Sequence, residues 1–357
     1  MKKAGFILSI LIVLRLNAQD SLQHWQFNGY AEFYAQYDAN NPVNNTRPAY
    51  VYSFSRNNEL NLNLGYVKAA YAAEKLRAAF SLGIGTYMNA NYATEPGVLK
   101  NIYEANMGVK LSAKKEWWLD IGVLPSHIGF ESATGKDNFT LSRSILADNS
   151  PYYETGARLS YTSADGKWYT AFLLLNGWQH IQRPDGQSLP SFGTQFTWKP
   201  TDAVTLNSSS FIGTDKPDSA RKMRYFHNLY GQFQLNKKWS AILGLDIGAE
   251  QQQVSAKKLN MWYSPVLILR YSPSEKTKMA VRAEYYRDAK QVLINTNTAN
   301  GFLTKGVSLN VDRYLNPHMV WRNECKWWSS FDKVFEKRDG RYTDQSWVFT
   351  TAFALFF

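Results

Sequence analysis

Trp25-Gln-Phe-Asn-Gly-Tyr-Ala-Glu-Phe-Tyr-Ala-Gln-Tyr37 decides the fold by its alternation. In an extended chain, Trp25, Phe27, Ala31, Phe33, Ala35 and Tyr37 fall on one face, and Gln26, Asn28, Tyr30, Glu32, Tyr34 and Gln36 fall on the other. Successive side chains of a strand point to opposite sides, so this stretch predicts a strand with one apolar and one polar face. The rhythm returns along the chain. Leu76, Ala78, Phe80, Leu82 and Ile84 oppose Lys75, Arg77, Ala79, Ser81 and Gly83. Tyr103, Ala105, Met107 and Val109 oppose Glu104, Asn106 and Gly108, and Met279, Val281, Ala283 and Tyr285 oppose Lys278, Arg282 and Glu284.

Sixteen such segments are predicted, at 25–37, 57–72, 75–87, 102–112, 116–124, 152–162, 167–178, 191–199, 203–213, 224–235, 238–250, 261–271, 277–287, 302–313, 318–329 and 346–357. Most have the length of a tilted membrane-crossing strand. In 57–72 the phase slips near Gly65, and 302–313 is apolar only on Leu303, Val307, Leu309 and Val311. Every even-to-odd link is short and carries turn residues such as Asp165-Gly166, Pro200 and Pro273, whereas every odd-to-even link is longer. Short turns on one rim and long loops on the other predict a closed antiparallel transmembrane β-barrel of about 16 strands, an all-β fold. A soluble two-sheet sandwich would have no reason to alternate its links in this way.

Composition agrees. The chain has 357 residues, 15% aromatic and 19% charged, which excludes a disordered protein. Beyond the first 20 positions no apolar run is long enough for a membrane-spanning helix. The single Cys325 excludes an intramolecular disulfide framework and a cysteine-cluster metal site. Met1-Lys2-Lys3, the apolar stretch Ala4 to Leu14 and Leu16-Asn17-Ala18 read as a signal peptide, residues 1–18, cleaved before Gln19. Its loss would remove Lys2, Lys3 and Arg15, lowering the formal charge from +11 to +8. Residues 19–357 are then one barrel domain.

Trp117, Tyr161, Trp198, Trp239 and Tyr271 stand beside short turns in the apolar phase, as an interfacial aromatic girdle would. The chain ends Trp347-Val-Phe-Thr-Thr-Ala-Phe-Ala-Leu-Phe-Phe357. A last strand closed by Phe357 looks like the signal read by the bacterial outer-membrane assembly machinery.

Several phrases add up to a family. They are Asn40-Asn41-Pro42, Asn44-Asn45-Thr46-Arg47-Pro48, Asn57-Asn58-Glu59-Leu60-Asn61-Leu62, Glu95-Pro96-Gly97, Pro125-Ser126-His127-Ile128-Gly129-Phe130-Glu131-Ser132, Asn149-Ser150-Pro151-Tyr152-Tyr153-Glu154 and Leu175-Asn176-Gly177-Trp178-Gln179. As an ordered set, covering about 25–357, they resemble the putative β-barrel porin-2 (OmpL-like) family of Bacteroidetes and other Gram-negative bacteria. The resemblance implies an outer-membrane porin, not an enzyme; the even strand count puts both termini on the short-turn rim, expected to be periplasmic. It brings no catalytic or ligand residues.

A porin needs an apolar outer band and a wet lumen. Arg77, Lys110, Arg158, Arg282 and Arg322 fall in the polar phase as candidate pore-lining cations, with Lys75, Arg270 and Lys326. Glu104, Glu154 and Glu284 join them as candidate acids, with Glu32, Asp120, Asp246, Glu250 and Glu324. Two readings stand. A basic lumen would favour anions weakly; alternatively, the charges pair across strands and the net charge sits on the rims. The longest loop, 125–151, is the candidate constriction, with Glu131, Lys136, Asp137 and Arg143 as its residues. The bland alternative is a solvated surface loop.

His24, His127, His180, His227 and His318 lack metal-ligand spacing, and no phosphate-binding glycine loop follows a strand, so no cofactor is expected. Lys257-Lys258 and Arg221-Lys222-Met223-Arg224 are expected in outward loops, facing lipopolysaccharide phosphates or water rather than nucleic acid. Expected partners are therefore membrane lipid, lipopolysaccharide, the assembly machinery and small hydrophilic solutes, with a homo-oligomer left open. The competing functions are a barrel lipase or protease using Ser126-His127, and a surface-binding or adhesive barrel.

Overall fold

The computed structural model describes residues 24–357; the expected signal peptide, 1–18, lies outside them. Strands β1 (Trp25–Asp38), β2 (Leu60–Ala72), β3 (Leu76–Ile84), β4 (Ile102–Lys110), β5 (Glu116–Pro125) and β6 (Tyr153–Thr162) open the barrel. They are followed by β7 (Trp168–Leu175), β8 (Ser191–Thr201), β9 (Val204–Gly213), β10 (Arg224–Gln234), β11 (Trp239–Gln251) and β12 (Leu259–Tyr271). Strands β13 (Thr277–Asp288), β14 (Phe302–Asn316) and β15 (Met319–Ser330) continue the wall. A small hairpin, β16 (Phe335–Glu336) and β17 (Tyr342–Thr343), stands in the last long loop, outside the barrel sheet. Finally β18 (Gln345–Phe356) closes on β1, giving a closed antiparallel barrel of sixteen strands. All sixteen segments read from the alternation are found in it.

The outer wall shows why the chain folds this way. Phe27, Val67, Met107 and Leu309 are each more than half exposed, and comparable apolar side chains surround the whole circumference. Such a surface is stable only against lipid. At the short-turn rim the girdle aromatics meet in pairs across strands. Trp117 lies 4.8 Å from Tyr161, Trp168 5.1 Å from Trp198, and Trp239 4.7 Å from Tyr271.

Two irregularities shift the phase. In β2 the pairing with β1 slips between Glu32 and Phe33, so that Asn63 is an extra residue and Leu64 turns inward. This is the slip expected near Gly65. A second bulge lies in β4, where Ser81 pairs with Glu104 but Leu82 pairs with Ile102. The extra residue is Tyr103. A bulge re-aims the side chain it carries, and Tyr103, expected on the apolar outer face, instead stacks inside on Tyr66 at 4.9 Å.

Other expectations are corrected too. Lys75 sits in the turn before β3 rather than in the wall. Arg224, expected in an outward basic cluster, is buried inside, bonded to Glu250 at 2.7 Å and Asp215 at 3.0 Å. The lumen is also less uniformly polar than alternation predicts. Phe211, Phe226, Trp262, Tyr286, Phe302 and Trp328 all point inward and form one buried cluster. Trp262 and Trp328 fit because each lies flat over a glycine on the neighbouring strand. They pair in register with Gly248 and Gly306, where an added Cβ would stand 1.9 Å and 2.4 Å from the rings.

Candidate functional site: the loop across the lumen

The chain between β5 and β6 folds into the barrel and touches the wall on opposite sides. It begins with His127, whose imidazole is clamped at both nitrogens. Nδ1 lies 2.7 Å from Glu154 Oε2, and Nε2 lies 2.9 Å from the Ser210 carbonyl oxygen. Next, the Gly129 N–H donates to Asn228 Oδ1 on β10 at 3.2 Å. The far side is reached at residues 135–145. Arg322 of β15, held by Asp312 at 2.9 Å, donates to the carbonyls of Gly135 and Asn138. Gly135 permits close approach to β1, because a Cβ there would lie 2.3 Å from Glu32 Oε1.

From Leu141 onward the backbone is held by wall side chains. The Leu141 N–H donates to Asn310 Oδ1 at 2.8 Å, and the Ser142 N–H to Glu324 Oε2 at 3.2 Å. The single-turn helix α1 (Ile145–Asp148) follows, with the Ser144 hydroxyl accepting from the Ala147 N–H as its cap. Its first N–H, at Ile145, donates to Glu284 Oε2 on β13 at 2.8 Å. Unpaired N–H groups at a helix start favour a carboxylate there.

Arg282 of β13 organises this side. Its guanidinium is fully buried and donates to Thr140 Oγ1 at 3.0 Å and to the Ser142 carbonyl at 2.6 Å. Three carboxylates surround it: Glu324 at 3.3 Å, Glu284 at 3.6 Å and Glu131 at 3.9 Å. Glu131 also accepts from the Ser144 hydroxyl and N–H. The first long loop, 39–59, packs from above. Ser53 meets both Arg143 and Asp148, and Arg143 is sandwiched by the rings of Tyr87 and Tyr152 at 4.8 Å and 4.9 Å.

The four loop candidates therefore differ in surroundings. Glu131 and Arg143 are buried among loop and wall groups. Lys136 and Asp137 are more open and pair with each other at 2.7 Å, with Lys136 over the Phe356 ring at 5.0 Å. The eight wall candidates, Arg77, Lys110, Arg158, Arg282, Arg322, Glu104, Glu154 and Glu284, all sit in the inward phase. Arg282, Arg322, Glu154 and Glu284 are fixed to the loop. Of the others, Arg77 and Lys110 lie next to the short-turn rim, and exposure among the four is uneven. The Arg77 side chain is 37% and Arg158 20% exposed, while the Asp120 they share, at 2.6 Å and 3.2 Å, is 1% exposed. Lys68, which sequence reasoning missed, repeats this with Glu104 at 2.5 Å, 29% against 9%. The polar phase of 57–72 beyond the slip would have shown it.

Three loop groups titrate in the same sense. Burial raises the Asp148 carboxyl to about 6, against the pull of Arg143. Burial likewise raises Glu131 despite Arg282. For His127 burial acts downward, but the Glu154 carboxylate outweighs it and the imidazole ends above its ordinary value. A group whose pKa is raised on docking binds its proton more tightly there, so each contribution to docking is lost as pH rises through the docked value. The carboxyl window runs from the ordinary range near 4 up to about 6 at Asp148. The docked loop should thus be more stable at acidic pH. Hydrogen exchange of the 126–152 amides, compared between pH 5 and 7.5 after correction for intrinsic rates, should show stronger protection at the lower pH. Equal or weaker protection would contradict this.

Among the described residues no group of three or more His, Cys, Asp or Glu side chains is gathered as a metal site. The sequence profile of a family described as "Putative beta-barrel porin-2, OmpL-like" matches residues 24–357. No curated protein matches the chain in sequence. Among solved structures, the chain is similar to an anion-selective porin from Comamonas acidovorans, at 9% identity and TM-score 0.59, covering 93% of this chain and 99% of that one. It is similar to OmpT, an outer membrane protein of Vibrio cholerae also described in a trimer form, at 9% identity and TM-score 0.57, covering 93% and 97%. The outer membrane channel DcaP of Acinetobacter baumannii gives 10% identity and TM-score 0.56, covering 93% and 97%. At such identities the likeness is one of fold.

Proposed function

This chain belongs to the Putative beta-barrel porin-2, OmpL-like family, and from that premise we propose that it is a passive outer-membrane channel for small hydrophilic solutes, with a weak preference for anions. The short-turn rim, with both chain termini, faces the periplasm in this reading, and the loop 126–152 is the constriction. Glu131, Lys136, Asp137 and Arg143 shape that constriction, Lys136 and Asp137 from its more open side.

The observation that carries the proposal is the unequal exposure of paired charges. Asp120 and Glu104 are recessed against the wall, while Arg77, Arg158 and Lys68 project from the same pairs. Pairing lowers the net field, as the alternative reading of the lumen expected. A solute nevertheless meets the cations first, and charge near the solute weighs most in setting selectivity.

An enzymatic barrel is disfavoured by His127. A general base needs a free ring nitrogen beside the nucleophile. Both His127 nitrogens face other acceptors, and the Ser126 hydroxyl accepts from the Ile128 N–H instead. The remaining partners in this reading are membrane lipid, lipopolysaccharide, the assembly machinery at the strand ending Phe357, and further copies of the chain in a homo-oligomer.

Planar-bilayer recording of the refolded protein under a KCl gradient tests the function. Stepwise conductance with a reversal potential displaced toward that of chloride is the expected result. A folded but silent barrel would overturn passive conduction in favour of a surface-binding role.

A further inference from the structure

Inward-facing charge is abundant, but the outward phase of the barrel strands is almost free of it. Among the described residues it carries only Arg287, Lys305 and Arg313, all basic. Arg313 lies near the short-turn rim and donates to Thr277 Oγ1 at 2.7 Å. Arg287 and Lys305 lie toward the opposite rim, are exposed, and make no ion pair among the described residues.

The sheet register brings these two together with two aromatic rings. Tyr263 of β12 pairs across the strands with Arg287 of β13, and Tyr285 of β13 pairs with Lys305 of β14. The tyrosine rings are 6.0 Å apart. Neighbours in register are about 5 Å apart, and diagonal ones about 7–8 Å, within reach of long side chains. Tyrosine and cation thus alternate along a short zigzag across β12, β13 and β14 on the outer wall. Toward the short-turn rim, the outward phase reads Ala283, Val281 and Met279 on β13 and Val307, Leu309 and Val311 on β14. The group sits at the edge of the apolar band, where a charged side chain is tolerated and tyrosine is favoured.

Two like charges held at diagonal positions on the lipid-facing wall, without an ion-pair partner among the described residues, suit an anion from the membrane. Arginine matches phosphate oxygens bidentately, lysine adds a point charge, and a tyrosine face can pack on a sugar ring. We propose that Arg287, Lys305, Tyr263 and Tyr285 form a binding site for a phosphorylated glycolipid of the outer leaflet. This rests on the reading of the long-loop rim as the outer face. It does not depend on conduction.

Native mass spectrometry of the purified full barrel in a zwitterionic detergent, titrated with diphosphoryl lipid A, tests the site. Wild-type protein should retain the lipid, and an R287Q/K305Q variant should bind it at least about tenfold more weakly, because two charge-assisted contacts are lost. Arg313→Gln should bind as wild type does. Undiminished binding by the double variant, or equal wild-type binding of lipid A stripped of its phosphates, would overturn the proposal. So would complete displacement of the lipid by millimolar inorganic phosphate, which would mark a free-anion site. Bilayer conductance of R287Q/K305Q should be unchanged, so failure here is distinguishable from failure of the channel reading.

Discussion

Replacing Arg282 by leucine should release the loop from the wall while leaving the barrel closed. The substitution strips Glu131, Glu284 and Glu324 of the guanidinium they surround, and it removes the donors to Thr140 and Ser142. Breaking a buried ion pair by removing one partner costs about 3–5 kcal/mol, since the other charges are left uncompensated. The β13 ladder hydrogen bonds do not involve the side chain, so the loss falls mainly on docking of the loop. Two readouts should move together. Trypsin should cut after Lys136 or Arg143, sites shielded in the docked loop, and single-channel conductance should rise severalfold. A folded variant that keeps wild-type conductance and trypsin resistance would show that Arg282 is not the anchor. Arg282→Lys, which keeps the charge but not the planar fork, should lie between the two.

The second large effect concerns selectivity. Arg77→Gln with Arg158→Gln removes two partly exposed cations, and adding Asp120→Asn avoids leaving a buried carboxylate alone. The triple variant changes the local charge from +1 to neutral without opening a gap in the wall. Its reversal potential in a KCl gradient should move toward zero, with conductance nearly unchanged. A reversal potential identical to wild type would show that these cations do not set the proposed anion preference. Charge reversal at Lys136 and Arg143 is a less clean test of the same idea. Arg143 is packed between Tyr87 and Tyr152 and tied to Ser53, so its replacement would disturb the loop itself.

The strands were legible because one physical rule, apolar toward lipid and polar toward water, acts at every second residue. The girdle followed from the same rule at the turns. The rule fails where the backbone or a neighbour intervenes. Tyr103 reads as outward because a bulge adds one residue to β4, and no local composition marks it. Trp262 and Trp328 are large and apolar yet face inward. What admits them is a glycine on the adjacent strand, a fact of register rather than of their own segment. Arg224 sits in a basic run that suggested solvent, but its partners Asp215 and Glu250 come from other segments. The length and charges of 125–151 were visible, whereas the side on which it folds depends on long-range pairing. Ser53 with Arg143, and Glu284 with the Ile145 N–H, join residues far apart in the chain. Lumenal location is therefore a property of the assembled wall.

The loop is gripped largely by its main chain: N–H groups at Gly129, Leu141, Ser142 and Ile145, and carbonyls at Gly135, Asn138 and Ser142. Main-chain atoms are the same whatever residue bears them. Heritable variation in the loop can therefore accumulate at side chains outside the grip while its path through the barrel stays put. The wall residues Arg282, Glu284, Asn310, Arg322 and Glu324 have no such latitude. Across related chains, diversity should concentrate in the suspended segment and constancy in the inward wall behind it, so that a lineage can adapt to new solutes by editing a few loop codons.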